Sequence, residues 1–152
     1  MDYDIKAAIP HREPFLFLDR VIAVTGEEIR AEYELRPDDE LWSRVYGGHY
    51  PGSPITPGVL LCEMMFQAAA VLVHEMGRAE PLAGVPVVTR IQGVKFKNMV
   101  FPGDRVEIRA RLAERMGSAF FMKGSVLKDG KTAVQADFAV AMAPAGSAGT
   151  TA

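Results

Sequence analysis

Hydrophobic and polar residues alternate regularly over several stretches of this 152-residue chain. After a short helical turn expected near 3–8, an apolar run at 14–24 predicts a buried strand, and strict alternation over 29–36 predicts a half-buried one. The second half of the chain holds further strand-like stretches, at 87–97, 105–114, 119–128 and 132–142. An Asp129–Gly130 pair joins the last two, and it is typical of a type I′ hairpin turn.

Between the two groups of strands, the chain first becomes irregular and then strongly apolar. Residues 37–57 are rich in Gly and Pro, which predicts an irregular segment. The next stretch predicts a long helix with Thr56 as its N-cap, Pro57 in its first position and Gly77 at its end. Apolar residues surround almost the whole helical circumference, so other elements must enclose this helix. The order of elements predicts an α+β fold in which a curved antiparallel sheet wraps around one long central helix.

Composition narrows the class of protein. The chain has 49% hydrophobic and 24% charged residues with a formal net charge of −2, which is typical of a globular protein and disfavours nucleic acid as a partner. A single cysteine and the lack of a secretory signal favour a reducing, cytoplasmic location. The acidic residues within 58–76 argue against a membrane span. The length fits a single domain at 1–143, followed by a flexible tail at 144–152.

Glu63 is the most unusual residue of the predicted helix. A carboxylate among Leu, Cys and Met side chains is costly to desolvate, so its pKa should rise and leave a proton donor near neutral pH. Gln67 lies one turn later on the same face of the helix, where its amide can contact the acid. A structural ion pair with a buried basic group is the alternative role for this glutamate.

His49, in the Gly- and Pro-rich segment, is the candidate proton acceptor, since an unperturbed imidazole titrates at about 6.5. A surface or hydrogen-bonding role is its alternative, and that role is the expected one for His11 and His74. The free amides of Gly58 and Val59 at the helix start would polarise a carbonyl placed there, unless they only shape a tight start to the helix. The three histidines and the single cysteine lack metal-ligand spacing, so no metal site is predicted.

These candidates lie in one stretch, 48–67, with the sequence GHYPGSPITPGVLLCEMMFQ. It resembles the pattern GHFPxxPxxPGVLxxExxxQ of the (3R)-hydroxyacyl-[acyl-carrier-protein] dehydratases of bacterial type II fatty acid synthesis, including the 14-residue interval (63 − 49) between histidine and acid. PHREPFLFLDRV at 10–21 is similar to the family's PHRxPFLxxDRV, and VKFK at 94–97 with FPGD at 101–104 is a third match. The resemblance extends over residues 5–142.

The resemblance implies a hot-dog fold and the dehydration of (3R)-3-hydroxyacyl-[acyl-carrier-protein] to the trans-2-enoyl thioester. It implies that His49 removes the C2 proton and that Glu63, oriented by Gln67, assists departure of the C3 hydroxyl. The Gly58 amide would bind the thioester carbonyl. Glutamate as the acid resembles the non-isomerising subfamily. The resemblance implies no cofactor. The substrate is carried on the phosphopantetheine arm of acyl carrier protein. Family members form homodimers with shared active sites, often assembled as trimers of dimers.

Departures from the family pattern include Tyr50, Thr56 and Phe66, which replace the usual Phe, an apolar residue and Ala. A Phe66 ring in the acyl tunnel would shorten or redirect it, which leaves the preferred acyl chain length open. The side chains expected to line this tunnel are Phe66, Phe96, Tyr50 and Met99. The cations expected to dock the acidic carrier protein are Lys95, Lys97, Arg90 and Arg105. A hot-dog acyl thioesterase and a dehydratase-like acyl-binding protein of a specialised lipid or polyketide pathway are the alternative functions.

Overall fold

Six antiparallel strands form a single sheet in the order β1-β2-β4-β5-β6-β3. In the computed structural model, which describes residues 2–144, the helices are α1 (Ile5–Ala8), α2 (Glu40–Gly48) and α3 (Gly58–Ala79). The strands are β1 (Arg20–Val24), β2 (Glu28–Glu34), β3 (Val85–Phe96), β4 (Arg105–Met116), β5 (Ala119–Lys128) and β6 (Lys131–Ala143). The expected flexible tail lies outside the described residues, apart from residue 144.

The long helix α3 packs against strands β2 to β6 and is enclosed, as its apolar circumference predicts. Eleven of its side chains are buried: Leu61, Cys62, Met64, Met65, Gln67, Ala68, Ala69, Ala70, Val71, Leu72 and Val73. By length and composition α3 is the one helix among the described residues that could cross a membrane, yet 61% of its most apolar window is buried inside the protein. The helix is therefore the core of the fold, and the predicted α+β hot-dog architecture is confirmed.

Both predicted ends of α3 are wrong by one or two residues. Pro57, not Thr56, is the N-cap, because the Thr56 hydroxyl is engaged by the Tyr46 hydroxyl at 2.7 Å. Gly58 is therefore the first helical residue. The helix also continues past Gly77 to Ala79, and the Glu80 amide closes it by donating to the Met76 carbonyl.

The predicted strand at 14–24 is correct only over β1. Its first half contains the buried Leu16, Phe17 and Leu18, but no neighbouring strand pairs with it among the described residues. The backbone of this half bonds instead to a side chain of α3: the Phe17 amide donates to Gln67 Oε1 at 2.7 Å, and the Phe15 carbonyl accepts from Gln67 Nε2 at 3.1 Å. An apolar run can thus be buried as a loop when a buried side chain satisfies its peptide groups.

Helix α2 lies within the segment predicted to be irregular, so that prediction is wrong for residues 40–48. Trp42 and Tyr46 are four residues apart and face the core together, with their rings stacked at 5.5 Å. Trp42 is 1% exposed and donates to the Tyr33 hydroxyl on β2 at 2.7 Å. These contacts anchor α2 to the core, and α2 ends immediately before His49.

Strand β3 is the outer strand of the sheet beyond β6 and is unusually apolar for an exposed edge. Its large side chains are between 38% and 60% exposed at Val85, Val87, Ile91 and Phe96. A long apolar edge of this kind invites pairing with another chain. In a single chain this edge is open to solvent.

Candidate active site

His49 is the C-cap of α2, where its backbone amide donates to the Val45 carbonyl at 2.8 Å. Its ring Nδ1 lies 2.8 Å from the Ile55 carbonyl oxygen. A carbonyl can only accept, so Nδ1 carries a proton, and in the neutral ring the lone pair is on Nε2. Tyr50, held at a positive φ of 62°, packs its ring edge-on against the imidazole at 4.8 Å. The imidazole is therefore oriented by its neighbours and presents a proton-accepting nitrogen.

The start of α3 presents free peptide amides. Leu60 and Leu61 already donate to the Pro57 carbonyl, whereas the amides of Gly58 and Val59 have no backbone acceptor among the described residues. They point outward at the positive end of the helix dipole and suit a partially negative oxygen. The Phe96 ring of β3 lies directly over Gly58, where any Cβ would collide with it. Any side chain at this position would therefore displace the Phe96 ring.

Glu63 lies on the second turn of α3, and its side chain is 24% exposed. Burial raises the pKa of its carboxyl, and this effect outweighs the lowering by the hydrogen bond from Gln67 and by the charge interaction with His11. Gln67 Nε2 donates to Glu63 Oε2 at 3.1 Å. In a protonated carboxyl the carbonyl oxygen is the better acceptor, so the hydrogen bond from Gln67 to Oε2 favours a proton on Oε1. The result is an acid with a defined donating oxygen.

Gln67 is fully buried and uses its whole amide group. Its Oε1 accepts from the Phe17 amide, and its Nε2 donates to both the Phe15 carbonyl and Glu63. This set of partners leaves only one possible orientation of the amide, with the nitrogen toward the acid. Gln67 thereby anchors the loop 15–17 and the Glu63 carboxyl to each other.

His11, expected only to be a surface or hydrogen-bonding residue, is brought against the acid by this same loop. Its Nε2 lies 3.7 Å from Glu63 Oε2, and its side chain is 29% exposed. The two residues are 52 positions apart in the chain, so only the folded loop reveals their proximity. The PHR motif that contains His11 was the available signal. The Ile55 carbonyl, which orients His49, also escaped sequence analysis, since a backbone carbonyl has no residue signature.

Other residues near the site have structural roles. Cys62 is a free thiol whose pKa is raised by burial, so it is a poor nucleophile. Tyr46 and Thr56 pair their hydroxyls behind the loop, and burial is the main cause that raises the pKa of Tyr46 to about 12. His74 lies near the end of α3, beside an apolar cavity of about 350 Å³. Among the described residues, no group of His, Cys, Asp and Glu could hold a metal ion.

Within one chain, His49 and Glu63 are not joined. No hydrogen bond or ion pair of the described residues connects their side chains. The residues predicted to line the acyl tunnel are also largely uncovered: Tyr50, Phe96 and Met99 are 61%, 60% and 62% exposed, while Phe66 packs edge-on against Phe138 at 5.0 Å. A cavity of about 710 Å³ lies on the outer face of the sheet rather than at these residues.

The four predicted docking cations are divided between two places. Arg90 and Lys95 are exposed on β3, and Lys97 follows that strand directly. Lys95 and Lys97 flank Phe96, the ring over Gly58. Arg105 begins β4, separated from β3 by β5 and β6, and its guanidinium is paired with Glu34 at 3.0 Å.

Comparisons with known proteins show which family the chain belongs to. The family model of the FabA-like domain matches residues 9–137. A protein of Anaeromyxobacter sp. (strain Fw109-5) named 3-hydroxyacyl-[acyl-carrier-protein] dehydratase FabZ is 37% identical over 142 residues, covering 91% of this chain and 87% of that protein. A protein of the same name from Lactococcus lactis subsp. cremoris (strain MG1363) is 34% identical over 139 residues, covering 91% of this chain and 92% of the relative.

Solved structures share the fold at low sequence identity. A chain of the dehydratase heterocomplex ApeI:P from Xenorhabdus doucetiae superposes with a TM-score of 0.77 at 18% identity, covering 93% of this chain and 91% of that one. A hypothetical thioesterase protein with coenzyme A from Streptococcus pneumoniae TIGR4 gives a TM-score of 0.64 at 11% identity, covering 92% and 91%. The family match over most of the chain, and the identity to curated relatives along almost their full length, decide the classification. The chain belongs to the FabA-like family, together with the 3-hydroxyacyl-[acyl-carrier-protein] dehydratases that it resembles in sequence.

Proposed function

We propose that this chain dehydrates (3R)-3-hydroxyacyl-[acyl-carrier-protein] to the trans-2-enoyl thioester, with His49 as base and Glu63 as acid. The observation that carries this assignment is the contrast between the two groups. His49 is locked in the tautomer whose Nε2 accepts a proton, whereas burial of Glu63 favours its protonated form. Dehydration requires both a proton acceptor and a proton donor at adjacent carbons, and no cofactor takes part in these transfers.

The proposed reaction proceeds by two proton transfers. His49 Nε2 takes the proton from C2, and the electron pair of that C–H bond forms the C2=C3 double bond. The C3–O bond breaks as Glu63 Oε1 gives its proton to the hydroxyl, which leaves as water. The amides of Gly58 and Val59 hold the thioester carbonyl and stabilise the charge that develops on its oxygen. Imidazolium and carboxylate remain, and net transfer of one proton between them restores the starting state.

We further propose that the working unit is a homodimer in which each site combines His49 of one chain with Glu63 of the other. The site is incomplete in a single chain, since its two groups are not joined there. A band of exposed apolar side chains surrounds the helix start, and Val59 in it is 71% exposed. The open apolar edge of β3 continues this band. A second copy would cover both, as isologous dimers do.

The acidic carrier protein is proposed to dock beside Phe96, where Lys95 and Lys97 would attract it. Charge reversal of both lysines should lower affinity at low salt by about tenfold, and the difference should shrink as salt screens the contact. Binding of acylated carrier protein across a salt series measures this. Arg105→Glu is the matched control, because Glu34 already engages that guanidinium far from β3. Equal affinity of the lysine variant and the wild type at low salt would remove this docking surface.

Product identity tests the proposed function directly against a thioesterase. A 3-hydroxyacyl thioester on carrier protein should lose water, so absorbance of the conjugated enoyl thioester should appear with no free thiol. A thioesterase would release thiol instead, and an acyl-binding protein would do neither. The reverse reaction, hydration of the enoyl thioester, should also occur. Thiol release without enoyl formation would overturn the assignment.

The buried free thiol of Cys62 fits a reducing compartment, and we propose that the protein is located in the cytoplasm.

A further inference from the structure

The imidazole of His11 contacts the acid on the oxygen that does not donate its proton. Its Nε2 lies 3.7 Å from Glu63 Oε2, the same oxygen that accepts from Gln67 at 3.1 Å. Two nitrogen atoms therefore face one carboxyl oxygen from different elements, Gln67 from α3 and His11 from the N-terminal loop. Oε1 accepts no hydrogen bond from the described residues and stays available to substrate.

The environment of Nδ1 indicates which ring nitrogen of His11 carries the proton. Nδ1 is buried and has no hydrogen-bond partner among the described residues. A buried N–H without an acceptor is costly, and a buried charged one is costlier still. The ring proton is therefore best placed on Nε2, where it points toward Glu63. At 3.7 Å this contact is longer than a hydrogen bond, and its effect on Glu63 is electrostatic: it favours the carboxylate.

The loop that carries His11 is held in place at both ends. Arg12 donates from its guanidinium to the carbonyls of Ile9 and Lys6, each at 2.9 Å. The Phe15 amide donates to the Arg12 carbonyl at 2.8 Å, and Gln67 then binds the chain at residues 15 and 17. Because Gln67 anchors both this loop and the Glu63 carboxyl, it fixes the distance between His11 and the acid.

We propose that His11 is a positioning residue that holds Glu63 Oε2 and stabilises the carboxylate as Oε1 gives up its proton. This inference rests on the proposed function and adds a second donor to the acid side of the site. During dehydration, negative charge grows on Glu63, and a donor that binds the charged form more strongly than the neutral form assists that step. Gln67 supplies one such hydrogen bond. His11 supplies the second when the distance between its Nε2 and Glu63 Oε2 shortens.

Two amide substitutions separate this role from a merely structural one. His11→Gln places an amide nitrogen near the position of Nε2, whereas His11→Asn is shorter and cannot reach the carboxyl. Both variants are polar and of similar exposure, so both should fold. His11→Asn should lower kcat by about five- to thirty-fold with little change in KM, and His11→Gln should stay within about threefold of the wild type. Steady-state assay of a 3-hydroxyacyl carrier-protein substrate gives both values.

Titration of Glu63 provides a readout that does not depend on turnover. Gln67 and His11 are the side chains of the described residues that act on this carboxyl, so removal of the His11 donor should raise its pKa further. The carboxyl resonance of Glu63, observed by 13C NMR in glutamate-labelled protein and assigned with Glu63→Gln, should titrate at higher pH in His11→Asn. In His11→Gln its midpoint should return toward that of the wild type.

Tyr3→Phe is the matched control on the same N-terminal segment. The Tyr3 hydroxyl binds Glu75 near the far end of α3, so its loss loosens the segment without touching Glu63. Turnover and the Glu63 midpoint should then stay as in the wild type. Equal Glu63 midpoints in His11→Asn and the wild type would overturn the inference, as would equal loss of kcat in the Asn and Gln variants. Failure of the wild type to turn over the substrate would instead overturn the proposed function, while the titration would still test the contact.

Discussion

Replacement of His49 by alanine, and separately of Glu63 by glutamine, is expected to lower kcat/KM for a 3-hydroxyacyl carrier-protein substrate by about 10²–10⁴ in each case. His49→Ala removes the nitrogen that accepts the C2 proton. Glu63→Gln keeps the shape of the side chain but removes the proton that the leaving hydroxyl requires. Formation of the enoyl thioester under steady-state conditions measures both losses.

Folding of both variants should be preserved, since neither side chain is part of the hydrophobic core. His74→Ala is the matched control for a histidine outside the site, and it should turn over normally.

The thermal stability of Glu63→Gln is expected not to fall, although a polar side chain of the site is replaced. Burial raises the pKa of Glu63, so at pH values above its ordinary titration range the ionised form costs stability to the folded state. Glu63→Gln should therefore match or exceed the Tm of the wild type at neutral pH. Near-wild-type turnover by His49→Ala would contradict the mechanism.

The raised pKa of Glu63 also predicts how activity depends on pH. The reaction needs the protonated acid, so kcat should fall as pH rises through the pKa of Glu63. In the folded enzyme this decline should lie at higher pH than for an ordinary glutamate, because desolvation favours the neutral form. The position of the decline therefore reports the environment of the Glu63 carboxyl.

Sequence analysis located correctly the helices and strands whose pattern of hydrophobic residues follows directly from which of their faces is buried. Helix α3 is apolar all round because the sheet encloses it, and β4 alternates because only one of its faces contacts α3. The Asp129–Gly130 turn was predictable because its φ angles of 50° and 77° suit these two residue types. Such local rules need no knowledge of distant partners.

The elements that were missed depend on distant partners. The apolar run before β1 resembles a strand until the buried amide of Gln67 is known to satisfy its backbone. Helix α2 is short and begins without a side-chain hydrogen bond at its N-cap, so packing of Trp42 against Tyr33 and Phe17 stabilises it rather than its own sequence. Its Gly-Gly end also resembles the irregular chain that follows.

The residues of the candidate site also fall into a group that the sequence predicts and a group that it does not. His49, Gly58, Glu63 and Gln67 were predictable because they belong to one continuous motif. The Ile55 carbonyl, which decides the tautomer of His49, and His11, which contacts the acid, were not, because their roles arise only when separate segments meet. A single chain also leaves the base and the acid apart, so the motif alone cannot say which chain supplies each group.

Co-expression of His49→Ala with Glu63→Gln is expected to restore about a quarter of wild-type activity if the two groups of each site come from different chains. Random pairing makes about half of the dimers mixed, and one of the two sites in a mixed dimer contains both intact groups. Each variant alone should be almost inactive, so the recovered signal would exceed either background by at least about tenfold. Purification through different affinity tags on the two variants enriches mixed assemblies and should raise the recovery above a quarter. If each chain supplied both groups of its own site, every site in these assemblies would lack one of them and no activity would return. The outcome therefore decides whether each site combines His49 of one chain with Glu63 of another.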